Sequence, residues 1–360
     1  MTRQIVLSID AMGGDRGPAV VISGMAKSAA KNPDIRFLLH GDPQQLEPLL
    51  RRRPALDRIT EIRPCSGVIA MGEKPSHAVR HGKGSSMWNC VDAVARGEAA
   101  VAVSCGNTGA LMALSMLRMR RAPGIDRPAI AVLWPSRNRS GYNIVLDVGA
   151  DVRADAASLS QYAIMGAEYA RVGLHLETPR VGLLNVGTED HKGGAGRHEA
   201  NATLARIAEG PSAAFTYHGF VEGGDITGDK VDVIVTDGFT GNIALKTAEG
   251  TASLIGSFLS EGFRATLLSR IAAIFAFRAL QRLKKRIDPR RVNGGVFLGL
   301  NGAVVKSHGS ADSTGFSAAI KLAFRMAQDG FAEKVAARVA SGLPGSITAP
   351  GVTTGAGTDK

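Results

Sequence analysis

Cysteine and aromatic side chains are both scarce in this chain of 360 residues. The three cysteines, Cys65, Cys90 and Cys105, are odd in number and show no C-x-x-C spacing, which argues against a disulfide framework and a structural zinc site. A reducing, cytoplasmic setting is expected. Residues 1–10 enter an apolar, strand-like run directly, without the charged, apolar and small-residue regions of a secretory signal. Aromatics at 5% leave few stacking side chains for a nucleic-acid binder, so no nucleic-acid partner is expected. A G-x-x-x-x-G-K-[ST] loop, a G-x-G-x-x-G after the first strand, a G-x-S-x-G elbow and an H-E-x-x-H pair are all missing. His77 and His81 lie four apart but have no flanking acidic third ligand. Neither a metal nor a cofactor is expected.

What the chain does have is enough apolar residues, 44%, to bury its own core. Short β-branched runs at 5–9, 35–39, 100–104, 129–133, 144–148, 181–186 and 231–235 recur along the chain, and Ala-rich stretches at 19–31 and 108–121 follow two of them. That rhythm predicts an α/β protein with a doubly wound, mostly parallel sheet sandwiched by helices. No repeat or linker interrupts residues 1–342, read as a single catalytic domain. Residues 343–360, rich in Gly, Thr, Ala and Pro, are expected to be a disordered tail.

Glycine, at 44 residues, clusters just after the predicted strands, where backbone can approach an anion closely. The expectation is one active-site edge. Its turns are Asp10-Ala11-Met12-Gly13-Gly14-Asp15, Gly106-Asn107-Thr108-Gly109, Asp237-Gly238-Phe239-Thr240-Gly241-Asn242 and His308-Gly309-Ser310. With Gly84-Ser85-Ser86-Met87, Asp147-Val148-Gly149-Ala150 and Gly187-Thr188-Glu189-Asp190-His191-Lys192-Gly193, they resemble the phosphate acyltransferase family of bacterial phospholipid synthesis, in order and wording, over residues 5 to 336. Cys105 departs from the family pattern where a small residue such as Ala is expected, and His81-Gly82-Lys83 stands in place of a more basic stretch.

The resemblance implies a fold similar to isocitrate and isopropylmalate dehydrogenases and a homodimer. It implies conversion of long-chain acyl-[acyl-carrier protein] and inorganic phosphate to acyl phosphate for phosphatidic acid synthesis. Thioester and phosphate need positioning and charge stabilisation more than a protein nucleophile. For the phosphate and substrate the reading nominates Asp10, Gly13, Gly14, Asp15, Gly106, Asn107, Thr108, Gly109, His308, Gly309 and Ser310. Within that set, the start of the helix after Asn107 is the favoured anion site, with capping by Asn107 or Thr108 as the alternative. Lys192 is assigned to the tetrahedral oxyanion and the incoming phosphate, and Asn242 to the same oxygen as a neutral donor; both assignments rest on their family-like turns. Cys105 is read as a compact apolar residue, with an acyl-thiolate route as the alternative. Asp15, Asp147, Asp237 and Asp312 suit turn geometry. The rival function is a dehydrogenase-like oxidoreductase on the same fold.

The formal charge is +11, and it is concentrated. Between Arg264 and Arg291 stand nine basic residues and one acid, Asp288, a net of +8. The apolar centre of this window, 271–277, is far short of the roughly 20 residues that span a bilayer. Residues 251–291 therefore read as an inserted, protruding helical hairpin with an apolar tip. Ile271, Ile274, Phe275, Phe277 and Arg278 are nominated for peripheral contact with an anionic membrane, with dimer packing as the alternative. The expected consequence is handover of acyl phosphate to a membrane glycerol-3-phosphate acyltransferase.

Overall fold

A computed structural model describes residues 4–287 and 294–331, apart from 190 and 212, together with 334, 335 and 337. The tail expected at 343–360, and Asp190, Asp288, Arg290 and Arg291, lie outside the described residues.

The chain begins with β1 (Ile5–Asp10), α1 (Pro18–Ala29), β2 (Ile35–Gly41), α2 (Pro43–Arg51), α3 (Pro54–Asp57) and β3 (Thr60–Pro64). It continues through α4 (Pro75–His81), α5 (Ser86–Ala95), β4 (Val101–Ser104), α6 (Thr108–Met119), β5 (Ala129–Pro135) and β6 (Tyr142–Leu146). Next come α7 (Ala156–Gly173), β7 (Arg180–Leu184), α8 (Ala195–Ala208), β8 (Thr216–Val221), β9 (Val233–Val235), α9 (Gly238–Arg264) and α10 (Leu267–Ile287). Finally β10 (Gly295–Leu298), β11 (Ala303–Lys306) and α11 (Ser313–Gln328) return the chain to the middle of the sheet.

Among the described residues eleven strands form one sheet, ordered β3-β2-β1-β4-β11-β10-β5-β6-β9-β7-β8. Every residue of β4, β9, β10 and β11 is buried, as strands covered on both faces should be. Helix starts are fixed by short polar side chains: Ser85 caps α5, Asn107 caps α6, Asp155 caps α7, Asp237 caps α9 and Asp312 caps α11. Each cap satisfies a backbone N–H that the helix itself leaves open. The α7 helix is the most deeply seated, with Tyr162 and Tyr169 fully buried in the main core. Asp147, Asp237 and Asp312 all serve turns or caps through backbone N–H groups.

The expectation of one active-site edge is corrected by the strand directions. β1, β2, β3, β4 and β11 run parallel, but β10 is antiparallel to β11 and to β5, and β5 is antiparallel to β6. From β6 onward, β9, β7 and β8 therefore run opposite to the first group. Gly13, Gly14, Gly106 and Gly109 follow carboxyl ends at one edge; Gly149, Gly187, Gly238 and Gly241 follow carboxyl ends at the other. The first half of α9 then lies across the sheet and links the two groups.

Beyond Thr251, α9 and α10 form the expected hairpin, turning at 265–266. Leu267 and Leu268, just past the turn, are 75% and 77% exposed, and Ile274 and Phe275 further along α10 are 73% and 86% exposed. Ile271, Phe277 and Arg278 are exposed too. The nominated apolar residues thus form a flank of α10, and the tip carries Leu267 and Leu268.

Candidate active site

Asp10 ends β1 fully buried and binds two turns together. Its Oδ1 accepts N–H groups from Met12 (3.3 Å) and Gly13 (3.2 Å), and its Oδ2 accepts the Ser104 hydroxyl at 2.6 Å. The Ser104 Oγ in turn accepts the Gly106 N–H at 2.9 Å. Burial raises the Asp10 carboxyl above its ordinary range, and the Ser104, Ser86, Met12 and Gly13 bonds oppose that rise. Asp10 therefore shapes the Gly13 and Gly106 turns from behind. Gly14 sits at φ +92°, and a Cβ there would lie 2.7 Å from the Cys105 Cβ, so the Gly14 backbone packs where no side chain fits.

Asn107 is committed to structure. Its Oδ1 accepts the Ala110 N–H at 3.0 Å, while its Nδ2 donates to the carbonyls of Met71 (2.7 Å) and Glu73 (2.9 Å). Both amide hydrogens are engaged, so the side chain caps α6 and ties down the 67–74 loop. Thr108, the next residue, faces a cavity of about 510 Å³. Gly109 lies against Pro75.

That cavity lies between α9 and the face of β5 and β10. Ile130, Val132, Trp134, Leu245, Ala248 and Ala252 make its apolar wall. Asp15, Thr108, Lys246, Lys306 and His308 make its polar end, with Ser307, Gly309 and Glu249 beside them, and Asn242 lines it from the β6 side, where it meets Val148. The amide of Asp15 donates to the Gly309 carbonyl at 2.9 Å, so the first and last nominated turns meet there.

Two lysines absent from the nominated set carry the charge of this end. Lys306, the last residue of β11, is only 9% exposed, and its Nζ donates to the carbonyls of Cys105 (3.2 Å) and Ser307. Burial brings its pKa down to about 8, with the charge of nearby Lys246 acting in the same direction. Lys246 Nζ lies 3.0 Å from His308 Nε2 and pairs with Glu249 at 3.0 Å. On the other side of the ring, His308 Nδ1 accepts the Ser310 backbone N–H at 3.2 Å and lies 2.9 Å from Ser310 Oγ. Burial, then the Lys246 charge, holds the His308 pKa below its ordinary value. Asn242 donates to the Val148 carbonyl at 3.1 Å. Its helix approaches β6 so closely that a Cβ on Gly241 would lie 1.9 Å from the Asp147 carbonyl oxygen.

Lys192 is not brought to this cavity. It stands on the loop after β7, with Nζ 2.8 Å from Glu189 Oε1, and that carboxylate raises its pKa. The loop leaves the same sheet edge as the start of α9, because β7 and β9 are neighbours. Arg197 of α8 bonds to Asp237, the α9 cap, at 2.6 Å and joins the two segments. Cys105 is buried, and burial pushes its thiol up to about 12, so it is protonated at neutral pH.

The geometry is that of an α/β enzyme with an amphipathic cavity at strand ends, holding two lysines, a histidine and two carboxylates. Its fold matches a phosphotransacetylase from Streptococcus pyogenes with a TM-score of 0.59 at 18% identity, covering 91% of this chain and 94% of that one. The chain belongs to the phosphate acyltransferase family. Residues 5–334 match the family model described as fatty acid synthesis protein. The chain is 64% identical over 341 residues to the phosphate acyltransferase of Ruegeria sp. (strain TM1040), covering 95% of this chain and 90% of that protein. It is 65% identical over 336 residues to that of Dinoroseobacter shibae, covering 93% and 87%. The protein is a transferase that forms acyl phosphate for phospholipid synthesis, and the oxidoreductase alternative is not favoured.

Proposed function

We propose that the acyl donor is a long-chain acyl-[acyl-carrier protein] and that inorganic phosphate attacks its thioester in the cavity between α9 and β11. One observation carries this reading: buried Lys306 and the Lys246–His308 pair face a wall of Ile130, Val132 and Leu245. An anion and a hydrocarbon chain fit such a site together.

In this reading Lys306 and Lys246 hold phosphate as its dianion. A phosphate oxygen forms a bond to the thioester carbonyl carbon, and the carbonyl becomes an oxyanion. Asn242 is proposed as a donor to that oxyanion, and Lys192, which stands outside the cavity on Glu189, is proposed as a second donor that reaches it by releasing Glu189 and moving with its loop. The oxyanion collapses, the carbon–sulfur bond breaks, and the thiolate leaves with the electron pair. The proton of the bound hydrogen phosphate passes to the thiolate, with Lys306, at a pKa of about 8, placed to relay it. The products are acyl phosphate dianion and carrier thiol, and charge balances without metal or cofactor. Positioning can contribute about 7 to 11 kcal/mol and each oxyanion donor about 3 to 4. The turns at Gly13, Gly14, Gly106 and Gly109 shape this end, and Thr108, Gly309 and Ser310 complete it.

The proposal extends to a homodimer, with residues 1–342 as one catalytic unit on a single sheet. It also extends to cytoplasmic residence with peripheral contact to an anionic membrane, where product passes to a membrane glycerol-3-phosphate acyltransferase. Exposed Leu267, Leu268, Ile274 and Phe275 support an apolar contact. Among the described residues no helix is long and apolar enough to cross a membrane. The test is incubation of the protein with acyl-[acyl-carrier protein] and phosphate, followed by hydroxylamine. Acyl hydroxamate that requires phosphate supports the reading; its absence, with the thioester intact, ends it. Folded Lys192→Ala with wild-type activity would remove Lys192 from the mechanism.

A further inference from the structure

We propose that Ala248 and Ala252 of α9 form the seat of the acyl chain and limit its length, a reading that rests on the acyl-transfer function above. The polar groups that would hold the reacting carbonyl, Asn242 and Lys246, lie in the first turns of α9. Leu245, Ala248 and Ala252 follow at spacings of three and four and share the helix face that lines the cavity. From Lys246, which meets His308, to Ala252 the helix rises about 9 Å, so the wall extends away from the polar end.

The opposite wall is built to leave room. Ile130 and Val132 alternate onto the cavity face of β5, and Gly295 of β10 pairs with Val132. A Cβ on Gly295 would lie 2.8 Å from Ile130 Cγ2. Gly295 therefore makes room for Ile130 on this wall, and the two alanines facing it leave a slot that larger residues would fill. Continued by the same spacing, the Ala248 and Ala252 face of α9 presents Ile255 and Leu259, 48% and 39% exposed, on the hairpin. The chain is thus directed from the polar end, past Ala248, then past Ala252, toward the hairpin. A short acyl group ends before Ala252 and a long one passes it.

Each buried methylene contributes about fourfold to binding, so blocking the outer position discriminates strongly by chain length. The experiment compares wild type with Ala252→Phe and Ala252→Met, using hexadecanoyl- and butanoyl-[acyl-carrier protein] with saturating phosphate. Thermal melting confirms folding, and the Met variant serves if the Phe variant fails to fold. The expected result is a fall of tenfold or more in kcat/KM for the hexadecanoyl donor, with the butanoyl donor within about twofold of wild type. Equal falls for both donors, or no fall for either, overturns the proposal. Binding of hexadecanoyl phosphonate gives a readout independent of turnover: it should weaken at least tenfold in the variant. If wild type makes no acyl phosphate from either donor, the acyl-transfer reading fails and phosphonate binding alone decides the seat; unaltered binding in Ala252→Phe, or none to wild type, rejects it.

Discussion

Lys246 Nζ lies 3.0 Å from His308 Nε2, and this contact joins the helix that follows β9 to the loop that follows β11. Those strands belong to the two oppositely directed runs of the sheet. The contact closes one end of the cavity, and on the far side of the ring Nδ1 accepts the Ser310 backbone N–H. Replacing Lys246 with Met should raise the phosphate KM by about tenfold or more, as loss of a charge-assisted bond implies. It should also move the His308 pKa upward, because one cause of its depression is gone while burial remains. NMR titration of the His308 ring checks the second outcome; an unmoved titration would separate the pair electrostatically.

Lys306 gives the reaction an alkaline limit. Its charge is present below about pH 8 and is lost as pH rises through that value. If that charge holds the phosphate dianion, kcat/KM for phosphate falls above about pH 8. Lys306→Arg keeps its charge far into the alkaline range and should move the falling limb upward, even at a lower absolute rate. A pH–rate profile of the two proteins decides this; superimposable limbs would assign the limit to another group.

His40 sets an acid limit on stability at a place far from chemistry in role. Its ring bonds to Ser8 Oγ at 2.9 Å, its Nδ1 has no hydrogen-bond partner, and burial, followed by Arg63 and Arg96, lowers its pKa to about 4. The unfolded chain takes up a proton near 6.5 and the folded one resists until about 4, so stability present above pH 6.5 is lost as pH falls through that window. The loss by pH 4 is roughly 3 kcal/mol. Urea unfolding of wild type and His40→Gln at pH 7 and pH 4 checks it, the variant being the less pH-dependent by about that amount.

Much of this was legible in the residues themselves. The β-branched runs at 5–9, 100–104 and 129–133 match β1, β4 and β5 closely, because strands covered on both faces must be apolar throughout. Strand direction was not legible: β10 has four residues, and no periodicity in Gly295-Val296-Phe297-Leu298 announces that it runs backward. That reversal splits the glycine turns between two edges. Lys306 carries little signal in sequence because lysines are usually solvated; its place at the end of Ala303-Val304-Val305 is the one pointer to its burial. Asn107 was ambiguous from sequence, since a capping amide and a ligand-binding amide have the same neighbours in the chain. Only the carbonyls of Met71 and Glu73, more than thirty residues away, distinguish its present role.

For the hairpin, the exposed rings and aliphatic chains of α10 give a direct expectation. Phe275 is 86% exposed, and Phe275→Glu should reduce flotation with anionic vesicles at low salt while leaving phosphate-dependent turnover of a soluble donor within about twofold. Equal flotation of the two proteins would assign this face to self-association.

The central claim is that phosphate itself attacks the thioester, with no acyl group carried on the protein. Buried Cys105, its thiol held protonated up to about pH 12, is not poised to be a nucleophile. The most direct measurement is rapid-mixing detection of free carrier thiol at enzyme concentrations comparable to the acyl-[acyl-carrier protein]. Without phosphate no burst of thiol should appear, and on adding phosphate thiol and acyl phosphate should rise together in equal amounts. A burst matching the enzyme concentration in the absence of phosphate, abolished by Cys105→Ala, would contradict the account.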